Sequence, residues 1–173
     1  IGTQERPHLF HRRIDLPEPL YECIIECTAR MSVGGTELEP LDEAELGYAL
    51  NAARASGCQN VAIVFMHGWQ HPRHETRAAL VARSAGFEAV ATSHEISPTQ
   101  GYVARGQTTV ADAYLAALVG RYVARLAEDL QAFGPEVRLE LMQSHGGLAP
   151  AAAFRSTNGI LSGPAGGIVG MVK

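Results

Sequence analysis

Six consecutive apolar residues, Val61-Ala62-Ile63-Val64-Phe65-Met66, constrain this chain more than any other stretch, because helical patterns flank them on both sides. A segment apolar on both faces is expected as a central strand of a parallel sheet covered by helices. Upstream, Asp42 with Glu45 three residues later is a capping-box pattern, and Leu46, Ala49, Leu50 and Ala53 recur at helical spacing until Gly57. Downstream, Pro72 opens a second helix over Arg73 to Ala85, Gly86 closes it, and Phe87 to Ala91 reads as another strand. From Thr108 to about Phe133, the residues Val110, Tyr114, Leu118, Tyr122, Leu126 and Leu130 predict the longest helix, broken at Gly134-Pro135. Val137 to Met142 then supplies a strand, Ser144-His145-Gly146-Gly147 a turn, and a small Ala-rich helix follows. This alternation predicts an α/β fold, a mixed or mostly parallel sheet with flanking helices and right-handed crossovers.

The first 20 residues carry Pro7, Pro17 and Pro19 with Arg12 and Arg13 and show no sustained period. They are expected as an extended opening segment that packs through Leu9, Phe10, Ile14 and Leu16. Tyr21 to Met31 reads as a strand that returns through Gly34-Gly35 into Thr36 to Pro40, a hairpin; a helix through Tyr21 to Arg30 is the alternative. The length of 173 residues suits one domain. The chain opens without methionine at Ile1 and stops at Lys173 within an apolar, glycine-rich stretch, which predicts an internal fragment of a larger protein.

A net charge of -4, with arginines scattered rather than striped, predicts no nucleic-acid surface. The longest apolar run falls far short of the roughly 18 to 20 residues of a membrane helix, and no signal peptide is legible. No membrane partner and a cytoplasmic location are therefore expected. Cys23, Cys27 and Cys58 form neither an even disulfide framework nor paired C-x-x-C hooks, so reduced, partly buried thiols are expected.

Four segments, in order, resemble the hydantoinase A and 5-oxoprolinase family. His67-Gly68-Trp69-Gln70-His71-Pro72-Arg73-His74-Glu75 is similar to its apolar strand, short loop and Asn-Pro-x-His-Glu, with His71 in the Asn place. Ser93-His94-Glu95-Ile96-Ser97-Pro98, Arg105, Thr108, Thr109 and Ala113-Tyr114 resemble its Ser-x-Glu, Arg-x-x-Thr-Thr and Asn-Ala-Tyr signature, with Asp112 for Asn. Met142-Gln143-Ser144-His145-Gly146-Gly147 looks like its Gln-Ser-Asn-Gly-Gly, and Ser162-Gly163-Pro164-Ala165-Gly166-Gly167-Ile168-Val169-Gly170 matches its pattern almost without departure.

The resemblance implies part of an actin-like (ribonuclease H-like) ATPase subunit. Its parent would use ATP and Mg2+ to open a cyclic amide or imide ring of the hydantoin, N-methylhydantoin or 5-oxoproline type. A B-type hydantoinase subunit or fused domain is the implied partner, and a homo-oligomer is possible. The family's Asp-x-Gly-Gly-Thr phosphate loops are missing, and Gly34-Gly35-Thr36 lacks the preceding Asp. The fragment alone is expected to hold no ATP and to be inactive. A stand-alone α/β small-ligand or protein-interaction module is the alternative, and a metallohydrolase built on the histidines a third reading.

Ser162, Gly163, Pro164, Gly166, Gly167 and Gly170 are candidates for a nucleotide-proximal or hinge segment, 160–173 leading toward a further lobe. Backbone N–H groups at a helix start favour anions, whereas glycines four apart let helices press close. Arg105, Thr108 and Thr109 could grip a carboxylate or phosphate, or form a helix cap and its loop anchor. Ser144, His145, Gly146 and Gly147 are further candidates for substrate contact, although Ser144-His145 lacks a third triad member. His67, His71, His74 and Glu75 include the residue types of metal sites, but their spacing favours a structural role at the helix start, and no metal is expected.

Overall fold

The computed structural model describes residues 10, 12–13, 18–134 and 136–172. Most of the opening segment, including Leu9, Ile14 and Leu16, lies outside the described residues, and Phe10, expected to pack, is 93% exposed. Where length suggests one domain, the chain forms two compact units, Ile1–Ala111 and Asp112–Lys173.

In the first unit, β1 (Arg30–Met31) and β2 (Glu37–Glu39) pair antiparallel. The turn closes with Ser32 N–H donating to Thr36 O at 2.8 Å and with Gly35 at φ 85°. The hairpin is therefore as expected, but only the last two residues of the Tyr21–Met31 stretch pair. Its ladder is cut short by Pro40, which has no N–H to offer. Asp42 caps α1 (Glu43–Ala55), its Oδ1 accepting from Ala44 N at 3.0 Å and Glu45 N at 2.9 Å.

The central β-α-β is also as expected, with β3 (Asn60–Ile63) parallel to β4 (Ala89–Thr92) and α2 (Arg73–Ser84) between them. Leu41, Leu46 and Leu50 meet Ala78, Ala79 and Ala82 of α2 with Ile63 and Phe87 in one core. The alanines on α2 let the bulkier leucines of α1 fill the space between helices. α3 (Ser93–Ile96) is a single turn directly after β4.

α4 (Tyr102–Gln131) begins six residues before the Thr108 start expected from the sequence. Its steps of four do not form one buried face: Tyr114, Leu118 and Tyr122 are each about 60% exposed. At 3.6 residues per turn, each step of four over-rotates by about 40°, so the six apolar positions wind around the helix.

In the second unit, β5 (Glu140–Met142) and β6 (Leu148–Pro150) form an antiparallel hairpin, followed by 3-10 turns over Ala151–Ala153 and Ser156–Gly159 and by α5 (Ser162–Val172). The Ala-rich stretch thus supplies a strand and one 3-10 turn in place of a small helix. Among the described residues the single mixed or mostly parallel sheet is replaced by three separate two-stranded sheets. Within them β3 has β4 as its one ladder partner, so among the described residues the expected central strand is one of a pair. No described helix is long and apolar enough to cross a membrane.

Candidate functional site

At the carboxyl ends of β3 and β4, where open α/β sheets place their ligands, the first unit assembles a buried polar cluster. Glu75, in the first turn of α2, is all but fully buried. Its Oε1 accepts from Phe65 N at 2.9 Å and from Ser93 Oγ at 2.5 Å. Its Oε2 accepts from His94 N at 2.8 Å and lies 2.7 Å from His94 Nδ1. The Phe65 N–H therefore serves Glu75, and the strand expected to reach Met66 ends at Ile63.

Arg105, fully buried in the first turn of α4, completes the cluster. Nε donates to Ser93 Oγ at 2.7 Å, one terminal nitrogen to Thr99 O at 2.9 Å and the other to Phe65 O at 2.6 Å. Because Ser93 Oγ accepts from Arg105, its own proton goes to Glu75, and the hydroxyl relays between two buried opposite charges. Burying such groups is tolerable only when they are paired and hydrogen-bonded, as here. Gly68 completes the wall, since a Cβ there would collide with the Glu75 carboxylate and lie 3.1 Å from Phe65 O. The adjoining His67 takes a left-handed φ of 59°, which non-glycine residues seldom adopt.

These contacts revise the sequence readings. Arg105 is not a loop anchor, and its fork is committed on all three nitrogens to protein oxygens, which leaves it poorly placed to grip a free anion. Thr108 and Thr109 do not cap a helix. They sit within α4, their hydroxyls donating to Ala104 O at 3.0 Å and Arg105 O at 2.7 Å, which is how β-branched hydroxyl residues are accommodated inside helices. The structural role expected at the helix start has His74 or Glu75 satisfying backbone groups of their own helix, and α2 has no side-chain cap bond. Instead, His74 Nε2 lies 2.7 Å from Glu37 and Glu75 binds the strand ends, although Glu75 still complements the helix dipole.

Three of the four metal-type residues turn to different partners. His71 Nε2 lies 2.9 Å from Val33 O, His74 faces Glu37, and Glu75 faces Ser93 and His94. Among the described residues no three His, Cys, Asp or Glu side chains stand close enough to share an ion. The His74 contact holds the Glu37 carboxyl below the usual range, with Arg73 adding to the effect. Cys23 Sγ lies 3.7 Å from Cys58 Sγ, both as free thiols; burial raises the Cys23 and Cys27 thiols.

In the second unit Ser144 Oγ donates to Asn158 O at 2.7 Å and accepts from Leu161 N at 3.0 Å. That hydroxyl ties the β5–β6 turn to the start of α5. His145 Nδ1 accepts from Gly147 N at 3.2 Å, and Gly146, at φ 86°, makes the left-handed step of the turn. Ser144 and His145 thus each bond to backbone rather than to one another. Asp112 Oδ1 accepts from both N and Oγ1 of Thr157 at 3.1 Å, bonds that an Asn oxygen would also make. Ser162 begins α5, and a Cβ at Gly163, Gly167 or Gly170 would meet nothing within 4 Å, while one at Gly166 would lie 3.7 Å from Met142. Pro164 falls in the first turn of that helix, as its fixed φ predicts.

Ser93 and His94 are the functional candidates that sequence reasoning passed over. They were visible inside a motif, but nothing in their spacing from Glu75 says that the three converge.

Residues 105–173 match the family described as Hydantoinase/oxoprolinase, and residues 1–86 match the Hydantoinase/oxoprolinase N-terminal region. The chain is 30% identical over 197 residues to 5-oxoprolinase of Saccharomyces cerevisiae, covering 98% of this chain and 15% of that protein. It is 34% identical over 174 residues to caprolactamase subunit alpha of Pseudomonas jessenii, covering 95% and 24% respectively. The solved ATP-dependent caprolactamase from Pseudomonas jessenii superposes with a TM-score of 0.74 at 33% identity, over 90% of this chain and 24% of that chain. Nucleotide-free acetone carboxylase superposes at 0.72 with 23% identity, over 84% and 21%, a likeness of fold alone. This chain spans between 15% and 24% of the length of these two curated relatives.

Proposed function

The chain belongs to the hydantoinase/oxoprolinase family, and on that premise we propose that it is part of an ATP-dependent hydrolase that opens a cyclic amide or imide ring. The observation that carries the reading is the 33% identity at TM-score 0.74 to an enzyme named as an ATP-dependent caprolactamase, supported by the 5-oxoprolinase relatives. The substrate class we propose is a small lactam or imide of the 5-oxoproline, hydantoin or N-methylhydantoin type.

Among the described residues, three of the candidate groups are already engaged within the protein. Gly34-Gly35-Thr36 is a hairpin turn with the His71 ring against Gly35, Arg105 is consumed by protein oxygens, and Ser144 is bonded to backbone. We place the grip on ATP and its Mg2+ in other parts of the parent protein, whose core we read as actin-like. We read Ser162, Gly163, Pro164, Gly166, Gly167 and Gly170 as a hinge toward a further lobe, because most of these glycines leave open space on α5. A B-type subunit or fused domain is the proposed partner, and the cytoplasm the proposed location.

The test uses the full-length protein with 5-oxoproline, hydantoin, N-methylhydantoin and caprolactam, each with and without ATP. Ring opening that requires ATP and releases ADP is the expected result. ATP-independent ring opening, or none with any of these compounds, would overturn the reading. Calorimetry on the isolated 173-residue chain should show no tight ATP site.

A further inference from the structure

We propose that His94 is a ligand-contacting residue whose Nε2 accepts a hydrogen bond from the ring N–H of a cyclic amide, an assignment that rests on the functional reading above. The orientation follows from the buried cluster. Glu75 Oε2 already accepts from the backbone N–H of His94, and a carboxylate oxygen facing Nδ1 at 2.7 Å also accepts there. Nδ1 therefore carries the ring proton, and in the neutral ring Nε2 is left as a bare acceptor. The ring cannot turn freely, because Glu75 is itself fixed by Phe65 N and by Ser93, which Arg105 holds in place.

Nε2 has no partner among the described residues, and it is absent from the buried atoms that lack one, Asn60 Oδ1, His74 Nδ1 and Thr92 Oγ1. It therefore reaches the surface, with the side chain 19% exposed. His74 provides the contrast of a histidine with a structural role: it is 1% exposed, with Nε2 on Glu37 and Nδ1 sealed inside. A fully satisfied second layer behind a ring with one free nitrogen is the arrangement that holds a binding histidine in register. Its place, just past the carboxyl end of β4, is the edge where parallel α/β units take their ligands. His94 also lies between the two family-matched segments, which end at residue 86 and resume at 105.

Two variants of the full-length protein separate contact from support. His94→Asn keeps an amide N–H near the Nδ1 position for Glu75 and deletes Nε2, while His94→Phe removes both. Wild-type protein should prefer an unsubstituted lactam over its N-methyl derivative, which has no N–H, by about 10-fold in kcat/KM, the worth of one hydrogen bond. In His94→Asn that ratio should collapse toward one, a change that a merely structural histidine would not produce. A second readout needs no turnover. Diethylpyrocarbonate should label His94 in the free protein, and the unsubstituted lactam should slow that labelling more than the N-methyl compound does. Ring opening by a His94→Asn protein that keeps the wild-type ratio overturns the His94 assignment alone. If the wild-type protein opens no ring, the functional reading falls; unchanged labelling with lactam then overturns the assignment as well, whereas protection upholds His94 as a lactam contact.

Discussion

His74 and Glu75 are adjacent, almost equally buried, and put to different use. His74 leans on Glu37, a carboxylate near the surface whose pKa is lowered chiefly by that hydrogen bond. A carboxyl group with a depressed folded pKa stabilises the protein above its unfolded value, about 4.3, and loses that contribution as pH falls through the folded value. Urea midpoints measured from pH 6 to pH 3 should therefore decline below about pH 4.5 in wild type, and Glu37→Gln should flatten that decline. An identical slope in the variant would show that Glu37 is not the group responsible. Glu75 has donors on both oxygens and a buried arginine one hydroxyl away, so no amide can replace it without turning a donor toward a donor. Glu75→Gln should cost about 3–5 kcal/mol, the range for breaking a buried charge pair, read as a shift in denaturation midpoint. Arg105→Lys should fall in the same direction, because one ammonium cannot reach Ser93, Thr99 and Phe65 at once. From sequence, His74, Glu75 and Arg105 stood out as residue types, but their partners are 37, 18 and 40 positions away and carry no periodic mark.

At the level of elements, the segments with local grammar were legible. Asp42 caps α1, Gly57 and Gly86 end helices in left-handed conformations, and Pro72 opens α2. Boundaries set by distant groups were not legible: the Thr108-Thr109 pair resembled a cap because nothing local reveals hydroxyls bonded back to Ala104 and Arg105. Val64 to Met66 resembled strand because only the fold brings Glu75 and Arg105 to Phe65. The α1–α2 contact, by contrast, follows from small residues meeting large ones. Ala82 has no exposed surface, so Ala82→Leu should overpack the core and cost about 1–3 kcal/mol. Thermal denaturation of the variant checks this, and an unchanged midpoint would mean the helices can separate without loss.

For the whole molecule, four short motifs pointed to the family and the family matches agree, while the split into two units had no counterpart in composition or length. The hinge reading predicts a dissociation of effects. A Cβ at Gly170 would meet nothing within 4 Å, so Gly170→Val should alter the stability of this chain by less than about 0.5 kcal/mol, yet lower ATP-coupled turnover in the full-length protein. Full turnover in that variant would defeat the hinge. The cluster around Glu75 also sets an order of events during synthesis. Its compensating arginine is encoded 30 residues later, so at about 5–20 residues per second a nascent chain waits roughly 2–6 s between making the carboxylate and making its counter-charge. Until Arg105 clears the ribosome, the β-α-β unit has its apolar core but an unanswered charge beneath it, and the ribosome itself delays the first unit from locking shut.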